Sequence, residues 1–395
     1  MSRSRRAHPV RRAVWSTRWL ARAAAIALGG AVGGACRSTP TGAAPIIVDL
    51  THPWVHASPA ALGMDSAALD RAVATAAGIP RFRALLVARH GRIALERYFG
   101  GTDTATRFDV RSVTKSVVSL LTGIALAGGA LPGLDARVGD YLGPPYVLDD
   151  GDRAVTVREL LTMTSGYAWN EAADVDDYDQ WIAAPDHVQY LLDRAQTGPP
   201  GPFVYNSAAV HLLGVILQRA EREPLPELAA HALLEPAGIT SAVWEPLENG
   251  TVNGGSGLAL TARDLLRIGQ LALQDGQSGD RGVVPAAWVR EVTTPRFTWR
   301  ETVGPQPGVT YGYLWWVTDG PPYPAYFAWG FGGQFIYVVP ALDLVAVATT
   351  EWRGITSDPA SEDLALTVLG VIVNDVLPAA HRTVATRVRD PISPP

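Results

Sequence analysis

The sequence predicts an α+β fold, in which an antiparallel sheet assembled from the two ends of the chain carries flanking helices and a mainly helical insert. Three observations point there. Residues 83–99 alternate like a hairpin, and strand-like apolar stretches return only after residue 311. Between them, from about residue 130 to 300, the pattern is helical and loop-rich. Strands at both ends with helices between them suit a segregated α+β architecture and not an alternating βα one. Finally, 395 residues with 47% apolar content can bury a large core, in one large domain or two intimate ones. No repeat at solenoid spacing interrupts the chain.

Taken in order, the chain opens with seven arginines and no acid in its first 22 residues, followed by an apolar stretch from Ala23 to Ala35. That stretch has the length of a signal-peptide core and is too short to span a bilayer comfortably. It ends in small residues before Cys36, the sole cysteine, which resembles a bacterial lipobox. The expectation is a signal peptide over residues 1–35, lipidation at Cys36, and an exported lipoprotein held at the membrane in the periplasm or on the cell surface. An ordinary cleaved secretory signal is the alternative, and Arg11-Arg12 fits a twin-arginine export signal. Residues 36–60 read as a tether, residues 61–378 as the folded domain, and residues 379–395 as a tail.

Within the domain, Asp65 to Ala77 forms a short helix, and Leu85-Val87 faces Ile93-Leu95 across a turn at His90-Gly91-Arg92. Thr156-x-x-Glu159 is a capping box that opens a helix over Val157–Met163. Further helices are expected over Ala208–Glu221 and, behind Thr261, over Ala262–Gln274. Strands are expected over Tyr311–Thr318, Tyr326–Trp329, Phe335–Val339 and Leu344–Thr350, and a closing apolar helix over Glu362–Leu377.

Composition excludes several functions. Without the seven leader arginines, 26 basic residues face 38 acids, a balance of about −12 with histidine neutral. A chain that acidic, with no basic cluster, is a poor nucleic-acid binder. One cysteine permits no intramolecular disulfide, and the eight histidines form no metal-ligand pattern. No metal or cofactor is implied, and the oligomeric state is left open.

The chemistry centres on Phe108-Asp109-Val110-Arg111-Ser112-Val113-Thr114-Lys115-Ser116. Ser112 and Lys115 lie three apart at the start of an apolar, proline-free run that stops at Gly128-Gly129, so a helix places both on one face. A serine hydroxyl needs a base to become a nucleophile, and a lysine serves if burial or a nearby cation lowers its pKa. Of the 33 basic residues, Lys115 is the only lysine. Arginine cannot be deprotonated in a protein, so a base at this position has to be lysine.

Three more stretches add to it. Gly201-Pro202-Phe203-Val204-Tyr205-Asn206-Ser207 offers Tyr205, which can relay a proton if a cation lowers its pKa. Asn249-Gly250-Thr251-Val252-Asn253-Gly254-Gly255-Ser256-Gly257 is glycine-rich but lacks both phosphate-binding patterns, and Asn253 could hold a substrate carbonyl. Ala328-Trp329-Gly330-Phe331-Gly332-Gly333-Gln334 has the glycines that an oxyanion hole needs for close approach of backbone to substrate.

In this order and spacing the four stretches resemble the serine β-lactamase and penicillin-binding superfamily, over about residues 60–378. The nearest match is the class C β-lactamase-like group of esterases, D-amino-acid-specific peptidases and 6-aminohexanoate-dimer hydrolases. Ser112-Val113-Thr114-Lys115 matches the first motif of that superfamily, and Tyr205-Asn206-Ser207 stands for its Tyr-x-Asn. Asn253-Gly254-Gly255 with Thr261-Ala262-Arg263-Asp264-Leu265 looks like the dimer-hydrolase branch. Ser207 replaces the asparagine of Tyr-x-Asn, Phe331-Gly332-Gly333 stands where β-lactamases carry Lys-Thr-Gly, and Trp169 lies where dimer hydrolases hold a substrate-side tyrosine.

The resemblance implies a serine hydrolase that acts through an acyl-enzyme on an ester or amide of a small molecule or short peptide. Ser112 would attack, Lys115 would take its proton and Tyr205 would relay protons, with the base role open between Lys115 and Tyr205. The oxyanion donors would be the N–H groups of Ser112 and of a residue near Gln334. Trp169, Ser207, Asn253, Trp329 and Gly333 would line the substrate site. A non-catalytic binder of cell-wall peptide is the rival, and a D,D-peptidase or β-lactamase proper a further alternative. The binder would be expected to lack Ser112, Lys115 or Tyr205, and all three are present.

Overall fold

The computed structural model describes residues 46–171, 177–247, 249–355 and 358–380. The leader, Cys36, the first part of the tether and nearly all of the tail lie outside the described residues. Among those described, no helix is long and apolar enough to cross a membrane.

The first helix, α1 (Ser66–Ala77), begins behind Asp65, whose carboxylate accepts the N–H groups of Ala67 and Ala68. The hairpin β1 (Phe82–Arg89) and β2 (Arg92–Tyr98) turns at His90-Gly91, both in the left-handed region. A short strand β3 (Arg107–Asp109) leads into α2 (Val113–Gly128), which stops at Gly129 with φ 78°. The insert contributes α3 (Val157–Thr162), α4 (Asp177–Ile182) and α5 (Ser207–Glu221). The Thr156 capping box forms, with Glu159 reaching back to the Thr156 N–H at 2.7 Å. The insert is not wholly helical. Its strands β4 (Val243–Trp244) and β5 (Leu258–Thr261) join β3 in a small sheet of order β3-β5-β4, and α6 (Ala262–Leu273) follows β5.

The late strands are β6 (Glu301–Val303), β7 (Gln306–Tyr311), β8 (Trp316–Thr318), β9 (Ala325–Gly330), β10 (Gln334–Val339) and β11 (Leu344–Thr350). The helix α7 (Asp358–Gly370) then continues into a π-helical turn over Val371–Val376. The main sheet runs β2-β1-β11-β10-β9-β8-β7-β6 and is antiparallel throughout. The N-terminal hairpin thus pairs with the last strand, as the pattern of the termini predicts. One expectation fails. Tyr311–Thr318 is not a single strand but the end of β7, a tight turn and β8. The apolar run hides the turn, in which Gly312 N–H donates to the Trp315 carbonyl at 2.8 Å and Leu314 adopts φ 60°.

The sheet separates two cores. Along β11, Leu344, Ala346 and Ala348 face one core while Val345 and Val347 face the other, the period of two that a pleated strand imposes. The helix α6 lies over β11, β10 and β1 on one side, and α1 packs with the C-terminal helical segment on the other. Because both faces are covered, these strands read as nearly continuous apolar runs instead of alternating ones.

The contact between α6 and the sheet depends on Gly269. A Cβ there would lie 2.5 Å from Val345 Cγ1 and 2.7 Å from Ile336 Cγ2. Glycine to alanine inside a helix ordinarily stabilises by about 0.5–1 kcal/mol, but here overpacking should outweigh that gain. Gly269→Ala is expected to lower stability by roughly 1–3 kcal/mol in chemical denaturation. A stabilised variant would show that the helix does not sit this close.

Candidate active site

The nucleophile's position follows from local chain geometry. Val110 N–H donates to the Leu258 carbonyl at 3.0 Å, which fixes the end of β3 against β5. Arg111 then takes φ 50°, and this corner brings Ser112 to the N-terminal boundary of α2. One helical turn on, Lys115 is 1% exposed. Its Nζ donates to Ser112 Oγ at 2.8 Å and to the Gly255 carbonyl at 2.7 Å. No carboxylate lies within salt-bridge distance of Lys115 among the described residues. Burial therefore dominates and pushes its pKa down from 10.5 to about 7; Glu171 opposes the shift and Arg111 adds to it.

Tyr205 stands beside the pair. Lys115 Nζ lies 4.9 Å from the centre of its ring, and its hydroxyl interacts with that of Ser112. The sequence reading required a cation to lower the Tyr205 pKa. Burial instead raises it, with the Glu171 charge adding to the rise, and the pull of Ser112 and Arg111 in the other direction is smaller. Of the two groups that can take the serine proton, Lys115 is the one held close to neutrality.

Sequence reasoning missed Glu171. Its carboxylate accepts the backbone N–H of Ser207, the Ser207 hydroxyl at 3.0 Å and the Trp169 indole N–H at 2.8 Å. Burial raises its pKa, while Lys115 and these three donors pull it down. It ties the segment carrying Tyr205 to the Trp169 stretch of the same insert, through Ser207, two residues from Tyr205 itself. The only signal in the sequence was its place in Trp169-Asn170-Glu171.

Several residues expected to line the substrate site have other partners. Trp169 is buried edge-on to Trp181 and Tyr190 and spends its N–H on Glu171. The Ser207 hydroxyl is likewise committed to Glu171. Asn253 is turned into its own loop, accepting from the N–H groups of Gly255 and Ser256 and donating to Ser256 Oγ at 3.0 Å. That loop presents the Gly255 carbonyl to Lys115, and Gly255 allows the approach, since a Cβ there would lie 2.4 Å from the Ser207 carbonyl oxygen.

The fourth stretch divides in two. Gly330 meets the nucleophile's segment, where a Cβ would lie 2.3 Å from the Val110 carbonyl oxygen. Gly333 faces away from it, against Ala365 and Val368 of α7. The Gln334 side chain is buried, donating to Thr350 Oγ1 at 2.7 Å and accepting the Thr350 N–H at 3.2 Å. Trp329 packs between Trp316 and Phe335, and Trp316 in turn stacks on Tyr205 at 6.2 Å.

Comparison with known proteins places this geometry. The model of the family described as Beta-lactamase matches residues 70–369. Esterase EstB of Burkholderia gladioli is 29% identical over 179 residues, 39% of this chain and 44% of its own length. The match therefore spans under half of that esterase. The 6-aminohexanoate-dimer hydrolase of Paenarthrobacter ureafaciens is 25% identical over 289 residues, 68% of this chain and 72% of its own. Among solved structures, a penicillin-binding protein from Bacillus halodurans superposes with a TM-score of 0.61 at 19% identity, covering 75% of this chain and 99% of its own. EstCE1, a hydrolase with promiscuous acyltransferase activity, does so with a TM-score of 0.60 at 19% identity, covering 79% and 98%. The α+β architecture expected from the termini is the fold of these relatives, and the chain belongs to the beta-lactamase family.

Proposed function

We propose that this chain is an exported serine hydrolase that forms an acyl-enzyme on Ser112 and cleaves an ester or amide bond of a small molecule or short peptide. The observation that carries the reading is the 2.8 Å contact between Ser112 Oγ and a buried Lys115 whose pKa lies near 7. Neutral Lys115 takes the hydroxyl proton as Oγ attacks the substrate carbonyl. The negative charge that develops on the carbonyl oxygen is met by the Ser112 N–H and by an N–H near Gln334, in the turn after β9, the strand whose last residue, Gly330, abuts Val110. Each such donor is worth about 2.7–4 kcal/mol. Protonated Lys115 returns the proton through Tyr205 to the leaving group, and water then releases the acyl group by the reverse path.

The sheet supports a substrate with an amide backbone. β8 pairs only with Ala325–Phe327 of β9, so the edge at Ala328–Gly330 has no β8 partner, and Gly330 on it lies against the Val110 carbonyl. An extended peptide or amide can pair along such an edge. The esterase and amide-hydrolase relatives support the same two bond types.

A fluorophosphonate probe should label Ser112, because it alone among the serines has the chain's single lysine amine beside it, and Lys115→Arg should slow labelling by roughly 10²–10⁴-fold. Arginine keeps the charge but cannot accept a proton. Peptide mapping that finds the adduct elsewhere, or a variant within about threefold of wild type, rejects the assignment.

Export and anchoring rest on residues 1–36 of the sequence. Cys36→Ala should move the protein from the membrane fraction to the soluble one, and unchanged fractionation would reject a lipid anchor at Cys36.

A further inference from the structure

The segment that enters the domain fixes where a membrane anchor would pull. Val48 accepts the Gly279 N–H at 3.1 Å, and its own N–H donates to Gln274 Oε1 at 3.2 Å. Leu50 is 2% exposed, and its N–H donates to Ser278 Oγ at 2.9 Å. The Val48 side chain lies against the turn of the β1–β2 hairpin, where a Cβ on Gly91 would come within 2.4 Å of Val48 Cγ1. This part of the expected tether is therefore bound to the domain, and residues 37–45 separate Cys36 from Ile46. At about 3.3–3.6 Å per residue, that span reaches at most roughly 30 Å.

The entry point and the active site lie at opposite ends of the main sheet. The turn at His90-Gly91 closes β1 beside Leu344, which pairs with Arg89 and Val339. At the other end of the same strands, Thr350 pairs with Phe82 and bonds Gln334, and Gln334 pairs with Gly330, which abuts Val110 of the nucleophile's segment. The seven residues of β11 put about 20 Å between the two ends.

The end where the chain enters also has an apolar surface. Among the described residues five large apolar side chains stand exposed, and three of them are here: Ile46 at 50%, Ile47 at 48% and Val55 at 54%. The Val55 carbonyl accepts the Ile93 N–H just after the hairpin turn, and Val55 lines a cleft with Pro53, Trp54, Val48 and Gly91. Arg92 follows that turn, and Arg281 belongs to the hairpin whose Gly279 bonds Val48. Both arginines are exposed and make no ion pair among the described residues, although Asp280 is exposed beside Arg281. Grouped apolar side chains with cations at their rim suit the boundary between lipid headgroups and acyl chains. We propose that this end of the domain docks on the bilayer that holds Cys36, with Ile46, Ile47 and Val55 in the headgroup boundary. The active site then faces away from that bilayer and takes its substrate from the aqueous phase. Three exposed side chains bind a membrane weakly by themselves. A short tether makes the contact intramolecular, and a modest surface is then enough to fix the orientation.

This inference rests on the lipid anchor proposed for Cys36, and the test separates the two. Lipidation consumes the sole cysteine, so an introduced one is the only free thiol. A polarity-sensitive fluorophore is attached at Val55→Cys or Ile47→Cys in the patch, or at Thr104→Cys, an exposed turn residue beyond β2 at the active-site end. Each protein, its lipid confirmed by intact mass, is reconstituted into phosphatidylcholine–phosphatidylglycerol vesicles with and without spin-labelled acyl chains. The expected result is about twofold or greater quenching at positions 55 and 47, which would sit roughly 5–10 Å into the boundary, and none at position 104. Adding Ile46→Asp and Ile47→Asp should abolish the quenching at position 55 while leaving ester hydrolysis unchanged. Equal quenching at the two ends, none at either, or stronger quenching at position 104 overturns the docking and leaves the anchor in place. A mature protein whose Cys36 carries no lipid rejects the anchor reading, and this inference with it.

Discussion

The site depends on keeping one amine out of water. Lys115 sits on the buried face of α2, where its Nζ has two oxygen partners, Ser112 Oγ and the Gly255 carbonyl, and neither carries a charge. A lysine paired with a carboxylate would stay protonated, and a lysine in solvent would do the same. Burial without a counter-ion makes the neutral form accessible near pH 7. The cost of this arrangement falls on the fold, which has to hold a polar group inside an apolar helix-packing layer.

The surroundings are organised to hold that amine in place. The Gly255 carbonyl is fixed by the Asn253 side chain, which bonds the N–H groups of Gly255 and Ser256, and Trp244 Nε1 closes the loop by donating to the Asn253 carbonyl at 2.9 Å. Glu171 anchors the start of α5 through Ser207, and so sets Tyr205 two residues earlier. Trp316 stacks on Tyr205 from the sheet side. Glu171 also balances the electrostatics. Its charge raises the Lys115 pKa while Arg111 lowers it, so the amine stands between an acid and a cation without bonding either.

Much of this was legible in the sequence, and the misses have a common cause. The Ser112–Lys115 relation is a matter of helical periodicity, and the Thr156 capping box, the hairpin and the terminal strands are also local. Asn253, Ser207 and Trp169 were read as substrate-facing because their residue types suit that role. Ser207 is satisfied by Glu171, 36 positions away, which no local pattern reveals, and Trp169 and Asn253 turn to partners two positions away, a choice that residue type alone does not fix. Glu171 was missed for the same reason, since its importance lies in donors brought to it by folding. The turn at Gly312–Trp315 was obscured because aromatic residues fill both it and the strands it joins.

Since Lys115 is the only lysine, a protein labelled with isotopic lysine yields a single side-chain amine resonance, free of assignment ambiguity. Its NMR titration reads the central claim directly. The folded-state pKa is depressed, so the amine should be protonated below the midpoint and neutral above it, with the midpoint at about pH 7. A midpoint near the ordinary lysine value of about 10.5 would mean that Lys115 remains a cation at the pH of reaction, and the account of Ser112 activation would be contradicted.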